Sequence, residues 1–211
     1  MDWQKVSAEL SKPLNPDAIK PPPQGKFGEY VDGLHVIREA NRIFGFDGWS
    51  YVVTRLEQAS GGVVTLNGKN GPYEQYRTSY LCSVQVTVDS VTREGTAVGI
   101  GNGKPENMGD VIESAVKEAE TDALKRALRT FGNTFGLALY EKDKGAREVG
   151  YSASEQEIGA AIDAIAKCAD MAALVAYWKA LNANAKHVAS EARVIAEKDN
   201  RKAEIEHREA A

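Results

Sequence analysis

The stretch GDVIESAVKEAETDALKRALRTFG, residues 109–132, decides the fold, because its spacing predicts one long helix with a broad apolar face that must lie on a sheet. Asp110 is placed to cap the first turn, and Glu113, three residues on, to complete a capping box. At about 100° per residue, Ile112, Val116, Ala119, Ala123, Leu124, Ala127, Leu128 and Phe131 fall in one arc and are expected to face the sheet. Lys125 and Arg129 then lie opposite, with Arg126 at the edge of the arc. Spacing alone leaves two readings of these cations. Asp122 stands three and four residues before Lys125 and Arg126 and can pair with both on a solvated face. Arg129, however, has no acid within a turn on its N-terminal side. The alanines and Gly132 also permit a close approach of helix to sheet, which would set a cationic ridge beside a sheet edge.

Working outward, DGLHVIREANRIFGFDGW (residues 32–49) predicts a first helix capped by Asp32 and stopped at Gly45, with Val36, Ile37, Ala40, Ile43 and Phe44 on its buried face. Three β-rich runs follow: WSYVVTRLEQ (49–58), YRTSYLCSVQVTV (76–88) and EGTAVGI (94–100). A polar loop, ASGGVVTLNGKNGPYEQ (59–75), and a tight DSVTREG turn (89–95) are expected to join them in an antiparallel meander. The expected class is therefore α+β: helix, three-stranded antiparallel meander, long helix. The proline-rich lead, residues 1–29 with SKPLNPDAIKPPPQGK, is expected to be extended and to contribute no regular core. Residues 30–148 form the main domain. After the charged break EKDKGAREVGYSAS (141–154), residues 149–211 are alanine-rich with helical spacing and predict an α-helical appendage, with Leu174, Trp178 and Leu181 on one apolar side.

The chain of 211 residues, 43% hydrophobic and 27% charged, reads as a globular protein, and no apolar run is long enough for a transmembrane helix. The N-terminus MDWQKVSAELSKPLNP lacks a basic segment followed by an apolar core, which predicts no secretory leader and a cytoplasmic, nucleoid-associated location. Cys82 and Cys168 are too few and too isolated for a disulfide framework or a zinc site, and are expected to be packing residues. With a net charge of −4, binding to nucleic acid must come from a local basic patch.

The segments KEAETDALKRALRTFGNTFGLALYEKD (117–143), IREANRIFGFDGWSY (37–51) and VGIGNG (98–103) together resemble the annealing domain of the Rad52 family of single-strand annealing proteins. The resemblance covers roughly Tyr30 to Lys144. It implies a protomer core of helix, meander and helix, assembled into a homo-oligomeric ring whose outer circumference carries a groove for single-stranded DNA. In that family a Lys-Arg pair of the long helix faces the groove floor and binds phosphates; the matching residues are Lys125 and Arg126, with Arg129 one turn on. A family arginine of the first helix, which also contributes to the groove, falls on His35, with Arg38 one turn later. For a second, weaker site that handles double-stranded DNA or the incoming strand, Arg77 and Lys104 are the nearest basic residues. The small size and alanine-rich tail are similar to phage or bacterial versions, with a single-strand-binding protein or an exonuclease as the expected partner.

Annealing requires a strand held by its backbone with its bases free, which cations on a rigid helix supply without a cofactor, metal or nucleophile. GIGNGK (99–104) is no Walker loop, because Pro105 stands where Ser or Thr is needed, and its glycines do not match the dinucleotide fingerprint. It is expected to be a flexible strand-to-helix connection, whose backbone the resemblance would bring to the groove. Phe44, Phe46 and Trp49 could stack on bases but are expected to be core residues of a helix-to-strand junction. An ATP-independent annealing protein is thus the leading expectation. A nucleotide hydrolase lacks the phosphate loop and clustered acids it needs, and a helical adaptor with an oligomerising α+β base is the remaining alternative.

Overall fold

A computed structural model of the chain describes residues 1–22, 28–142 and 148–209. Parts of the proline-rich lead (23–27) and of the charged break (143–147), and the last two residues, lie outside the described residues. The chain divides into two compact units, Met1–Val149 and Gly150–Ala211.

In the first unit, helix α1 (Trp3–Leu10) is capped by Asp2, whose carboxylate accepts from the Gln4 and Lys5 amides. Val6 and Leu10 are buried from its inner face, and Leu14 and Ala18 follow them into the same core. The lead was expected to add no regular core; instead it adds a helix, because Trp3, Val6 and Leu10 already carry a one-sided helical spacing that the prolines after them obscure. Pro16–Ala18 forms a single 3-10 turn capped by Asn15, and the short strand β1 (Ile19–Lys20) pairs antiparallel with β2 (Tyr30–Val31).

Helix α2 (Gly33–Phe44) begins at Asp32, which accepts from the Leu34 amide, and ends at Gly45 with φ 84°. Val36, Ala40 and Phe44 are buried, and Ile43 is partly so. Ile37 is exposed with Leu34, because the face buried here is narrower than the expected arc. Phe44 packs edge-on to Phe131 and stacks on Phe135, with centroids 5.6 and 5.9 Å away, and Trp49 donates to the Asn41 side chain at 2.8 Å. Phe46 departs from its expected core role and is exposed.

The meander is β3 (Trp49–Gly68), β4 (Gly71–Val88) and β5 (Val91–Gly103), antiparallel in the order β3-β4-β5. Two-residue turns close it, at Lys69-Asn70 and at Asp89-Ser90, where Asp89 takes φ 53°. The expected loop at 59–75 is therefore mostly strand. Beyond Tyr76 the β3–β4 hairpin runs on past the end of β5 as a two-stranded ribbon, pairing to Gly68↔Gly71. Both faces of that ribbon meet water, so its sequence shows none of the apolar alternation that marks a half-buried strand. Cys82, Val84, Val86 and Val88 line the buried face of the central strand.

Helix α3 (Met108–Arg129) lies across β4 and β5. A 3-10 turn at Pro105–Asn107 feeds it, so the helix starts before Asp110, which sits within its first turn instead of at the cap. The expected capping box does not form, and Glu113 pairs with Lys117 instead. Val111, Ala115, Ala119, Ala123 and Ala127 are buried, together with Leu124 and Leu128. Val111 and Ala115 replace the expected Ile112 and Val116. Each step of four residues advances about 40° beyond a full turn, so the contact line winds around the helix instead of keeping one fixed arc. Opposite this line, β5 presents Gly95, Ala97, Gly99 and Gly101 at every second position. A Cβ on Gly99 would come within 1.9 Å of the Ala115 carbonyl oxygen and 2.5 Å of the Ala119 nitrogen, so strand and helix backbones touch directly. The segment expected as a flexible connection is thus a packed strand, with the Ile100 amide donating to Glu118 at 3.0 Å. After α3, 3-10 turns at Asn133–Phe135 and Leu137–Tyr140 return the chain toward β2.

The second unit comprises α4 (Glu155–Ala166), capped by a Ser154/Glu157 capping box, α5 (Met171–Asn184), α6 (Lys186–Ala189) and α7 (Ala192–Glu209). Its core holds Ile158, Ile165, Leu174, Val188, Val194 and Ile205, with Trp178 and Leu181 packed against it. Cys82 and Cys168 are both buried and free, as their packing role requires.

The Gly99 contact generates a stability test. Gly99→Ala must push backbone against backbone and should cost about 1–3 kcal/mol, the range for an overfilled interior. At roughly 2–4 °C per kcal/mol for a chain of this size, calorimetry should show a clear fall in the thermal midpoint. Gly62→Ala, with nothing within 4 Å of its added Cβ, is the control and should leave the midpoint unchanged or slightly raised.

Candidate nucleic-acid interface

The last two turns of α3 carry Asp122, Lys125, Arg126 and Arg129 on the side away from the sheet. Two other segments close over that side. Strand β2, held by β1 and anchored by buried Val31, brings Tyr30, and the turn after α3 brings Tyr140. The second approach depends on Gly136, which takes φ 93° and whose added Cβ would lie 2.7 Å from Val31 Cγ2. Together these segments form a pocket of about 140 Å³ with Phe135 and Leu139 in its wall and the three cations along it.

The cations differ in their surroundings. Lys125 is half-buried, pairs with Asp122 at 2.6 Å and sits 5.5 Å from the Tyr30 ring centroid. The Arg129 guanidinium stacks on Tyr140 with Cζ 3.8 Å from the ring centroid, which fixes its plane and leaves its edge N–H groups free to donate. Arg126 is exposed and has no ion-pair or hydrogen-bond partner among the described residues. Both readings of the sequence are thus partly realised: one carboxylate pairs with one cation, and three cations share a pocket with that single acid. The helix C-terminus adds its own partial negative charge, which favours cations in this last turn. A pocket so built can accept an anionic group with planar, charge-assisted donors.

The other expected residues lie elsewhere. His35 on α2 is half-buried, with Nε2 3.2 Å from the Thr134 carbonyl oxygen, and Arg38 is exposed one turn later; neither lines the pocket. Arg77 and Lys104 are brought to one end of the sheet, where Arg77 pairs in register with Asn102 and donates to Gln75 at 2.7 Å. Lys104 meets Glu106 at 3.6 Å, with both side chains well exposed. This pair stands near the start of α3, about 20 Å along the helix from Lys125 at 1.5 Å per residue. Tyr30 and Tyr140 are the residues that spacing on α3 alone misses, since both reach the pocket through tertiary packing. Arg93, 5.7 Å from the Phe131 ring centroid, is a further cation at the β5 end that lies beside the C-terminal half of α3.

A helix, a three-stranded antiparallel meander and a long helix with a basic C-terminal half define a Rad52-like core. The chain belongs to the Rad52/22 family of double-strand break repair proteins, whose family model matches residues 2–158. The match takes in the N-terminal lead, in keeping with the packing of α1 into the core, and so extends beyond the Tyr30–Lys144 resemblance. The chain is 37% identical over 148 residues to the DNA repair and recombination protein RAD52 of Kluyveromyces lactis, covering 65% of this chain and 30% of that protein. It is 38% identical over 148 residues to RAD52 of Saccharomyces cerevisiae (66% and 28%) and 34% identical over 146 residues to the DNA repair and recombination protein rad22 of Schizosaccharomyces pombe (67% and 29%). The matched region spans less than a third of these relatives' own length. All three are fungal proteins and give no support to the expected phage or bacterial source. No described helix is long and apolar enough to cross a membrane.

Proposed function

We propose that this protein binds single-stranded DNA by its phosphates and anneals complementary strands in recombination without nucleotide hydrolysis, as the subunit of a homo-oligomeric ring. The observation that carries the reading is the convergence of Lys125, Arg126 and Arg129 on one pocket in a chain of net charge −4. Phosphate contacts of this kind fix a strand's path without reading its sequence, and they leave the base edges free for pairing. Lys125 and Arg126 are the principal phosphate ligands. Arg129, held flat by Tyr140, supplies a third contact. Arg38 and His35 extend the path along α2, and Arg77 with Lys104 form a weaker site for a duplex or incoming strand.

Oligomerisation is supported by β3, an edge strand that exposes Tyr51, Val52, Val53, Leu56 and Val63 along its length. Such an edge, long and apolar, is stable in water only when covered. A second reading, a helical adaptor, is supported by the separate core of Gly150–Ala211, where a single-strand-binding protein or an exonuclease could be recruited.

The central test compares wild type with the Lys125→Ala/Arg126→Ala protein in strand binding and in pairing of two complementary oligonucleotides, with no nucleotide added. Alanine keeps the helix. Affinity for single strands should fall about tenfold or more, and the salt slope should shrink by roughly 0.7 for each phosphate contact removed. Unchanged affinity and slope would return the cations to the role of a solvated helix face.

Native mass spectrometry at micromolar protein should show a closed multiple of the 22.9 kDa chain, and a monomer alone would remove the ring. Truncation after residue 148 should leave assembly and strand binding intact. Loss of soluble, assembled protein would instead make the tail helices part of the core.

A further inference from the structure

The unit Gly150–Ala211 carries a groove of its own, lined by none of the residues of the proposed strand site. Between α5 and α7 an open groove of about 320 Å³ is formed by Met171, Leu174, Val175 and Trp178, with Lys179, Lys198 and Lys202 around it. Leu174 is only 3% exposed, which roots the floor in the helical core, whereas Val175 is 59% exposed. The Lys198 ammonium lies 5.0 Å from the Trp178 ring centroid, so a cation stands over one apolar wall. Lys198 pairs with Asp199 at 2.7 Å and Lys202 with Glu206 at 3.7 Å, in both cases with largely exposed acids. Pairs of that kind contribute little and exchange readily for a better-placed carboxylate. Lys179 has no ion-pair or hydrogen-bond partner among the described residues.

An apolar trough rimmed by three ammonium groups is the complement of a peptide in which bulky apolar side chains alternate with carboxylates. We propose that this groove docks an acidic segment of another protein, which seats an apolar side chain between Trp178 and Val175 and sets its carboxylates against Lys179, Lys198 and Lys202. A nucleic-acid backbone would satisfy the lysines but would leave Met171 and Val175 against sugar and phosphate, which the apolar floor disfavours. The inference stands on the tail unit's own residues and holds whether or not Lys125 and Arg126 bind DNA.

The test titrates the full chain into a short fluorescein-labelled peptide rich in Asp and Glu and bearing a pair of Phe side chains, read by anisotropy. Saturable binding is expected, weakened about tenfold or more by Lys179→Glu/Lys202→Glu and, separately, by Val175→Asp. All three positions are exposed, so circular dichroism should report an unchanged fold for either variant. A peptide with Lys in place of its acids should not bind. Absence of saturable binding, equal binding of the charge-reversed peptide, or full affinity in both variants overturns the proposal. So does a loss of single-strand binding in the two variants without effect on the peptide, which would make the groove a nucleic-acid surface. A fall in oligomer mass caused by Val175→Asp would assign the groove to a second copy of the chain and overturn it equally.

Discussion

The backbone contact between β5 and α3 is the constraint from which the rest of the first unit follows. Gly95, Ala97, Gly99 and Gly101 face the helix at every second strand position, and Val111, Ala115, Ala119, Ala123 and Ala127 face the strand at every fourth helix position. The two periods meet because, from Ala115 onward, neither partner has a side chain large enough to hold the backbones apart. Where a sheet usually meets a helix through interleaved Leu, Ile and Val, dispersion contacts here run between main chains, and any added carbon at Gly99 must displace a peptide group. The track also fixes the rotation of α3 about its own axis. With Ala123 and Ala127 pressed on the strand, Asp122, Lys125 and Arg129 can only look away from the sheet, toward β2 and the turn that carries Tyr140.

The same close fit has a consequence at the β3 edge of the sheet. Because α3 sits over β4 and β5, the residues of β3 that point to the helix side are only partly covered, although Tyr51 reaches Glu120 of α3 at 3.4 Å and stacks on Trp49. Tyr51, Val53 and Leu56 pair across to buried Val86, Val84 and Cys82, yet each remains more than 40% exposed. Apolar residues that share a face with the core but not its burial are what an intermolecular contact would use, and they lie on an edge strand with no second strand beside it among the described residues.

How far the sequence disclosed this structure depends on where water is. The class of fold, the caps at Asp32 and Gly45, and the buried alanines and leucines in the C-terminal half of α3 were legible, because burial on one side writes a period into the sequence. The hairpin ribbon past Tyr76 was not, since both its faces are wet and only the turn residues Asn67–Gly71 mark it. The helix in the lead was masked by the prolines that follow it. The start of α3 was misplaced because the Asp110/Glu113 pattern satisfies a capping box locally, while Pro105 and the preceding packed strand begin the turn earlier. Two of these differences come from neighbouring residues, the prolines after α1 and Pro105 before α3, and the third from water on both faces of the ribbon, so periodicity alone could not register them.

The cationic site divides along the same line. Lys125, Arg126 and Arg129 stand at helical spacing and could be grouped by counting. Their different states could not, because these depend on aromatic rings 95 residues behind Lys125 and 11 residues ahead of Arg129, in Tyr30 and Tyr140. The rings matter to what the cations can do. A lysine alone on a solvated helix turn samples many rotamers and must lose that freedom when it meets an anion. Stacking Arg129 on Tyr140 and setting Lys125 between Asp122 and Tyr30 removes much of that freedom beforehand. Arg126, without a partner among the described residues, keeps its freedom. Two cations oriented in advance beside one free to move make a pocket that would adapt to the successive phosphates of a polymer, as the proposed function requires, more readily than to a single small ligand of fixed shape.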